Sequence, residues 1–261
     1  MNYLLINNGE IPDYIKYTFN SILSVDRDAK IYFCTNKPVK YKNIEVLDIN
    51  NIISEKTKNI LEQYPDKINS LIKIFYLRDA QKKLDIQNFI HFENDVIIYK
   101  SFENIKSIFR DNRLNITKAS NSKILFGYSY FDSKEILKSI GDKALEILEF
   151  GNSTNWSFNY DTPFGESEYL AKVFEYKKEY FNLLPILPHE NKFIFDPSSY
   201  GHYLDGTYSY PKKIIRGRYI NQDHFIGLEI RAKRIKVKFS NSEPYAVWNK
   251  NKYELVNLHL E

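Results

Sequence analysis

The acidic segment Glu93-Asn94-Asp95 constrains this chain more than any other feature, because apolar runs lie on both sides of it, at 89–92 and 96–99. A short apolar run bounded by polar residues predicts a buried strand. In an extended chain, residues 93 and 95 point the same way, so both carboxylates can converge on one hard cation. Carboxylates at the edge of a core are costly unless a positive group meets them. The segment therefore predicts either a metal site or a pairing with lysines.

The first hundred residues alternate between strand and helix patterns. Strands are predicted at about 2–7, 30–34, 44–47 and 89–92, and helices at 11–24, 51–63 and 67–84. This alternation indicates right-handed crossovers and a mainly parallel central sheet flanked by helices, which is the α/β class of fold. Ligands bind beyond the carboxyl ends of the strands in such sheets. Because Asn7-Asn8, Thr35-Asn36 and the acidic segment all lie at such ends, three segments point to one crevice.

The second half of the chain is less regular. Helices are predicted at 101–109, 134–150 and 166–176, and strands at 124–130, 181–186, 192–195, 233–239 and 253–259. Segment 151–164 is rich in Gly, Asn, Ser, Thr, Asp and Pro, which predicts a loop. The sequence has no internal repeat and no low-complexity linker. We therefore expect a single domain over residues 1–261, with a regular half at 1–100 and a variable half at 101–261.

Composition excludes several classes of protein. A hydrophobic content of 43% in 261 residues is enough for a core, and 37 basic against 33 acidic residues is unlike a nucleic-acid-binding protein. The sequence contains no run of 18 apolar residues, so no membrane-spanning helix is expected. The chain has one cysteine, Cys34, which excludes an internal disulfide and is typical of a reducing compartment. The N-terminus lacks the basic region of a signal peptide. We expect a cytoplasmic protein; its oligomeric state is not indicated.

Taken together, these segments resemble the glycosyltransferases of the GT-A fold. The resemblance rests on strand 1 with its helix, Thr35-Asn36, the helix that carries Arg78, the acidic segment, and the late Asn257-Leu258-His259. It spans most of the chain, but only the acidic motif and its surroundings are distinctive. The family signature is Asp-x-Asp; here Glu93 replaces the first acid, which keeps the charge and lengthens that arm by one methylene.

The resemblance implies an activity and its ligands. The donor would be a nucleotide-diphosphate sugar, with a UDP-sugar foremost, and the acceptor a glycan or another hydroxyl compound. The cofactor would be a divalent cation, Mn²⁺ or Mg²⁺. Residues 1–100 would bind the nucleotide sugar, and residues 101–261 would form the acceptor side.

The resemblance also implies the metal ligands. Asp95 would bind the cation directly, and Glu93 would bind it directly, through water, or contact the ribose instead. Asn94 would help to orient the donor. In this family a histidine near the C-terminus often completes the metal shell, and His259 stands at that place. A surface histidine near a flexible chain end is the alternative interpretation of His259.

Other candidate donor contacts each have a structural alternative. The resemblance puts a donor-contacting basic residue near Arg78, whereas a salt bridge to Asp79 or Glu62 would explain that arginine equally well. Four further residues would hydrogen-bond the base or the ribose, or else cap the turns that follow their strands: Asn7, Asn8, Thr35 and Asn36.

An inverting transferase needs a general base, which is normally a carboxylate. Three acids lie where the GT-A pattern places its catalytic acid: Asp161, Glu166 and Glu168. Glu166 and Glu168 cannot share one face of a helix, so at most one points inward, and we choose Glu166. Favourable charge at a helix N-terminus explains both residues without catalysis. A retaining enzyme would need no such base.

Several residues of the second half are candidate acceptor contacts. His202 and Tyr203 follow a Phe-Asp-Pro stretch that resembles a stretch of some GT-A members. The aspartate of this stretch, Asp196, is interpreted first as a helix cap. Trp156 and Trp248 would stack on a sugar or pack in the core. The basic segment 231–238 would form a solvated strand face, or contact a diphosphate or an acidic glycan.

Two other functions fit the acidic segment. A non-catalytic module that binds sugar nucleotides or glycans would keep the same fold without turnover. A metal-dependent phosphodiesterase would need further acids or histidines near the first pair, and residues 91–95 add only His91.

Overall fold

A seven-stranded sheet forms the centre of the computed structural model, which describes residues 1–63, 72–153, 166–201, 224–232 and 234–260. The strands of the described chain are β1 (Asn2–Asn7), β2 (Lys30–Thr35), β3 (Glu45–Asp48), β4 (Phe89–His91), β5 (Val96–Ile98), β6 (Leu114–Ser120), β7 (Lys123–Phe131), β8 (Phe181–Leu183), β9 (Phe193–Ile194), β10 (Ile235–Ser240), β11 (Glu243–Trp248), β12 (Asn251–Leu255) and β13 (Asn257–His259). The central sheet has the order β3-β2-β1-β4-β7-β6-β8.

The central sheet is mainly parallel, as the sequence predicts. The pairs β3–β2, β2–β1, β1–β4 and β6–β8 are parallel, whereas β7 runs antiparallel to both β4 and β6. Helices cover the sheet, which confirms the expected α/β class. They are α1 (Ile15–Val25), α2 (Ile49–Ile52), α3 (Glu55–Gln63), α4 (Ile72–Leu84), α5 (Phe102–Ile105), α6 (Lys134–Ser153), α7 (Glu166–Tyr176) and α8 (Phe225–Arg231).

Strand β1 shows why the inner strands are apolar at successive positions. Tyr3 and Leu5 pack in the cluster that includes α1, and Leu4 and Ile6 pack in the cluster that includes α4, α6 and α7. Because side chains alternate between the two faces of a strand, a strand covered on both faces needs apolar residues throughout. The sheet is thus the middle layer between two sets of covering elements.

The C-terminal part of the chain forms two small sheets. One has the order β10-β11-β12-β9, and the other pairs β13 antiparallel with β5. The sequence predicts one strand over 253–259, but the structure ends β12 at Leu255 and begins β13 at Asn257. The break exists because β12 pairs with β9 and β11, whereas β13 pairs with β5 directly after the acidic segment.

Other element boundaries differ from the sequence predictions in places. Helix α1 begins at Ile15 rather than at residue 11, because Pro12 and the residues around it form a turn before the helix. Residues 151–153 continue α6 instead of starting a loop. The sequence does not predict β6, β11 or α8. No helix of the described residues has the length and apolar character to cross a membrane, and the division into two halves at residue 100 stays a prediction.

The lone cysteine provides a test of this packing. Cys34 lies in β2 and is completely buried, and burial together with the nearby Glu45 carboxylate raises the pKa of its thiol to about 12. We expect no reaction with a thiol reagent at pH 8 in the native protein and full reaction in concentrated guanidinium chloride. Rapid labelling of the native protein would contradict the placement of β2 inside the sheet.

Candidate metal and ligand site

Glu93, Asp95 and His259 come together just beyond the carboxyl end of β4. One ligand atom from each residue lies within 4.8 Å of the other two. Nε2 of His259 is 3.0 Å from Oε2 of Glu93. Strand pairing sets His259 opposite Val96, and the N–H of Leu260 donates to the carbonyl oxygen of Asp95 at 2.9 Å. The last strand therefore carries the histidine to the acidic segment.

A buried aspartate holds this histidine in place. The carboxylate of Asp196 accepts hydrogen bonds from the backbone N–H groups of Ser199, Tyr200, Gly201 and His259, at 2.6 to 3.1 Å. Four such bonds compensate the cost of burying a carboxylate. The sequence interpretation of Asp196 as a cap is thus correct in kind, but its contact with His259 links it to the site.

Close packing around the imidazole also depends on a glycine and an amide. The side chain of Asn257 donates to the carbonyl oxygens of Gly127 and Asp196, at 3.1 and 3.0 Å. A Cβ atom on Gly127 would lie 2.9 Å from Cε1 of His259 and 2.7 Å from the carbonyl oxygen of Asp196. The ring of His259 therefore has little room to move.

Three carboxylates control the protonation of His259. Burial opposes its charge, but the hydrogen bond to Glu93 and the negative charges of Asp196, Glu93 and Asp95 outweigh burial and raise the pKa of the imidazole to about 9. Nδ1 is buried, lacks a hydrogen-bond partner in the described chain and lies 4.0 Å from Oδ2 of Asp196. Asp196 is therefore beyond hydrogen-bond distance of the ring and holds the histidine through its backbone N–H, whereas Nε2 faces Glu93.

Lys73 supplies the positive group that the acidic segment needs. Its Nζ lies 3.3 Å from Oε1 of Glu93 and 3.2 Å from Oε1 of Glu166. Burial opposes the ammonium charge, but both carboxylates outweigh it and raise the pKa of Lys73 above its usual range. Burial likewise opposes ionisation of Glu93, yet Lys73 and His259 hold its pKa well below the usual range. Of the sequence alternatives, the pairing with lysine is thus present at Glu93, and the three candidate metal ligands come together at the same place.

The two candidate bases differ in position. Glu166 begins α7, and Lys73 links it to Glu93, while burial and the nearby Glu93 charge raise the pKa of Glu166 to about 7 against the opposing effect of Lys73. Glu168 instead accepts a hydrogen bond from the hydroxyl of Ser167. The structure therefore brings Glu166, and not Glu168, into the charged group around the acidic segment.

A cavity of about 390 Å³ opens in front of these residues. This volume suits part of a small-molecule ligand. The metal triad and Lys73 form one part of its wall, and the rest is formed by Ile6, Tyr14, His91, Asn94, Leu125 and Ser198.

The predicted donor contacts at the strand ends mostly bind the loops themselves. The side chain of Asn94 donates to the carbonyl oxygen of Ile6 and to Oδ1 of Asn7, at 3.0 and 3.1 Å. Asn7 donates in turn to the carbonyl oxygens of residues 9 and 10, Thr35 accepts from the N–H of residue 37, and Asn36 accepts from the N–H of residue 9. These bonds are the capping alternative, whereas Asn8 is exposed at the same strand end.

Arg78 lies away from the cavity. Its guanidinium is 3.3 Å from Oδ1 of Asp79, donates to Oγ1 of Thr57 at 3.1 Å, and lies over the ring of Phe75. This matches the salt-bridge alternative, in which the arginine ties α4 to α3. Its role as a donor contact stays a prediction that these contacts do not support.

The sequence does not point to Lys73 as part of the cavity wall, because one lysine at the start of a helix is common. It indicates His91 only as a further ligand for a phosphodiesterase, from its place two residues before Glu93. In the structure Nδ1 of His91 lies 2.7 Å from the carbonyl oxygen of Leu4, and burial together with the charge of Lys73 lowers its pKa to about 3.

Some predicted contacts lie outside the described residues, namely Asp161, Trp156, His202 and Tyr203. Trp248 packs against His189 and Tyr253, which is the core alternative. Lys236 and Lys238 are exposed on β10, as the alternating pattern predicts.

Comparison with solved structures finds glycosyltransferases at low similarity. Mouse xyloside xylosyltransferase 1 in its apo form aligns with a TM-score of 0.48 and 10% identity, over 71% of this chain and 86% of that one. Apo GlyE, a glycosyltransferase of Streptococcus pneumoniae, gives 0.46 and 9%, over 70% of this chain and 44% of its own. The galactosyltransferase LgtC, in complex with donor and acceptor sugar analogs, gives 0.45 and 10%, over 99% and 86%.

These likenesses do not by themselves assign an activity. The chain spans less than half the length of GlyE, and identities near 10% are too low to transfer a substrate. No protein-family model matches the chain, and no curated protein matches it by sequence. The function therefore has to be inferred from the geometry and chemistry of the site.

The packing around His259 can be tested with one added methyl group. Gly127→Ala should lower the free energy of unfolding by about 1–3 kcal/mol, because the Cβ atom forces Asp196 or His259 to shift. Gly141→Ala in α6 is the matched control, since its Cβ atom meets nothing closer than 3.6 Å. Denaturant unfolding of both variants measures the difference, and equal stabilities would contradict the packing described here.

The raised pKa of His259 gives a prediction for metal affinity. With a pKa of about 9 the imidazole is protonated at neutral pH, so a metal ion must displace its proton. Mn²⁺ affinity should therefore rise between pH 6.5 and 8, by up to about tenfold per unit for one proton released. Titration of free Mn²⁺ by electron paramagnetic resonance measures this affinity. The variant His259→Ala should bind Mn²⁺ weakly and with a flatter pH dependence. The control variant His189→Ala, at an exposed position, should bind as wild type does.

Proposed function

We propose that this chain is a metal-dependent glycosyltransferase that moves a sugar from a nucleotide-diphosphate sugar to a hydroxyl acceptor on a glycan. A UDP-sugar is the first donor to test. The observation that carries the proposal is the triad of Glu93, Asp95 and His259, which borders a ligand-sized cavity beyond the carboxyl ends of β1 and β4. Ligands of α/β sheets bind at this edge, and the sequence motif at the same place resembles Asp-x-Asp.

The donor atoms of the triad fit a divalent cation. Two carboxylates and one imidazole offer ligand atoms within 4.8 Å of one another, a spacing that small side-chain rotations bring to one ion. The buried Asp196 supports the position of His259 by accepting its backbone N–H at 3.1 Å. A set with an imidazole favours Mn²⁺ over Mg²⁺, which prefers oxygen ligands and retained water.

The residues of the site suit transfer from a diphosphate donor. A divalent cation held by the triad would neutralise the charge that grows on the diphosphate as the glycosidic bond breaks. Asp95, Glu93 and His259 would hold that ion at the strand ends. The Asn94 amide, which bridges Ile6 and Asn7, keeps the acidic segment fixed against β1.

Glu166 is the proposed general base if transfer proceeds with inversion. Its side chain is largely buried, at 17% exposure, and it contacts the ammonium group of Lys73, which also contacts Glu93. A pKa of about 7 suits proton uptake from an acceptor hydroxyl near neutral pH. Glu168 is the second choice, and its bond to Ser167 gives it less support.

The phosphodiesterase alternative gains no support from the described residues. A second metal ion would need further ligands near the triad. His91 bonds the carbonyl oxygen of Leu4 through Nδ1, and its Nε2 has no hydrogen-bond partner among the described residues, but it does not belong to the cluster of candidate ligands. A binding module without turnover would use the same site, so turnover has to be measured.

We expect the protein to act in the cytoplasm, because a buried cysteine without a disulfide is typical of a reducing compartment.

The proposal predicts metal-dependent donor binding. In thermal unfolding with a panel of nucleotide sugars, one nucleotide family should raise the melting temperature only when Mn²⁺ is present. A ligand at about 100 times its dissociation constant adds about 2.7 kcal/mol to the stability of the folded state. Loss of the shift in Asp95→Asn, but not in the matched control Asp142→Asn on α6, would locate the binding at the triad.

Turnover separates a transferase from a binding module. Release of nucleoside diphosphate from the donor identified in the panel should require Mn²⁺, and Asp95→Asn should reduce its rate by about a hundredfold or more. Donor binding without release, in the presence of glycan acceptors, would favour the binding module. Absence of binding by every nucleotide sugar with Mn²⁺ present would overturn the proposed function.

A further inference from the structure

Lys73 contacts one of the two carboxylate oxygens of Glu93. Its ammonium lies 3.3 Å from Oε1 of Glu93, while Nε2 of His259 is 3.0 Å from Oε2 of the same carboxylate. Both oxygens of this proposed metal ligand are therefore engaged by nitrogen groups of the chain itself. A carboxylate oxygen can accept more than one contact, so a cation that binds Glu93 does not have to displace Lys73, but it has to come close to the ammonium charge.

An ammonium ion and a divalent cation cannot share one carboxylate without mutual repulsion. The side chain of Lys73 is only 23% exposed, so water screens this repulsion less than it would at the surface. The helix that carries Lys73 is fixed, because α4 packs in the core and Asp79 of this helix accepts hydrogen bonds from Ser54 and Thr57 near the start of α3. The backbone of Lys73 therefore stays near Glu93, and the ammonium can move only by rotations of the lysine side chain.

Glu166 offers the same ammonium a second position. Its Oε1 is 3.2 Å from Nζ of Lys73, a distance close to that of the Glu93 contact, and its side chain is 17% exposed. Small rotations of the lysine side chain can thus shift the charge towards Glu166 without leaving it unpaired. Because Glu166 begins α7, this contact connects the metal residues to a different helix from the one that carries Lys73.

We propose that Lys73 is a built-in competitor of the divalent cation for Glu93, and that Glu166 sets the strength of this competition by sharing the ammonium. The inference rests on the proposed metal site. Coupling of this kind is reciprocal. Cation binding shifts Lys73 towards Glu166, and any change that brings Lys73 closer to Glu166 increases the affinity for the cation.

The test measures binding of Mn²⁺ alone, by electron paramagnetic resonance of the free ion at constant pH. Lys73→Met should bind Mn²⁺ about tenfold more tightly than wild type, because the competing charge is gone. Lys73→Arg should stay close to wild type. Lys143→Met, which removes a partly buried lysine paired with Glu146 on α6, is the control for loss of one positive charge elsewhere and should leave the affinity unchanged.

Glu166→Gln provides an independent arm of opposite sign. Without the second carboxylate, Lys73 should remain on Glu93, and Mn²⁺ should bind about three- to tenfold more weakly. The same substitution in the Lys73→Met background should have little effect, because the competitor is absent. Glu175→Gln, which removes a carboxylate paired with Lys172 on α7, is the control for loss of one negative charge from the same helix.

The outcomes distinguish this inference from the proposed function. If wild type binds no Mn²⁺, the proposed metal site itself fails. If wild type binds Mn²⁺ and folded Lys73→Met binds it no more tightly, the competition is wrong. Should Lys73→Met fail to fold by circular dichroism, Glu166→Gln decides: weaker binding than in Glu175→Gln supports the inference, and equal or tighter binding overturns it.

Discussion

The site depends on the pairing of β13 with β5, which joins the end of the chain to the strand that follows the acidic segment. This pairing is antiparallel, and it continues through the bond from the N–H of Leu260 to Asp95. It sets His259 beside two carboxylates that are far from it in sequence. The buried carboxylate of Asp196 then fixes the backbone at residue 259 and lies behind the imidazole ring. Strand register and one buried aspartate thus determine where the nitrogen ligand stands.

Charge compensation is the second constraint on the site. Glu93 and Asp95 lie at the end of a strand that is covered on both faces, so their charges cannot rely on water alone. In the structure Lys73 and His259 compensate Glu93 from two sides, and Lys73 extends the charged group to Glu166. A divalent cation would enter a site in which Glu93 is already compensated by two nitrogen groups. Its affinity is therefore set by the groups that it displaces as well as by those that bind it.

Local patterns in the sequence were enough for the class of fold and for half of the site. The apolar runs before and after residue 93 and the alternation of strands and helices predict the parallel strands, and Glu93 and Asp95 follow from their spacing. His259 entered only through the family resemblance. The sequence gives no role to Lys73 and indicates Asp196 only as a cap, because their contacts in the site are made 20 and 63 residues away in the chain, to Glu93 and His259. The break between β12 and β13 was missed for the same reason: the alternation is continuous across Val256, and only the pairing partners change.

The central claim is that Glu93, Asp95 and His259 bind one divalent cation next to a diphosphate. Anomalous diffraction from crystals grown with Mn²⁺ and a nucleoside diphosphate tests it directly. The account predicts a manganese peak about 2.0–2.3 Å from Asp95 and from Nε2 of His259, with diphosphate oxygens completing the shell. A manganese peak at any other place would contradict it. So would a structure in which the metal and the nucleotide are bound away from Asp95 and the hydrogen bond between His259 and Glu93 is intact.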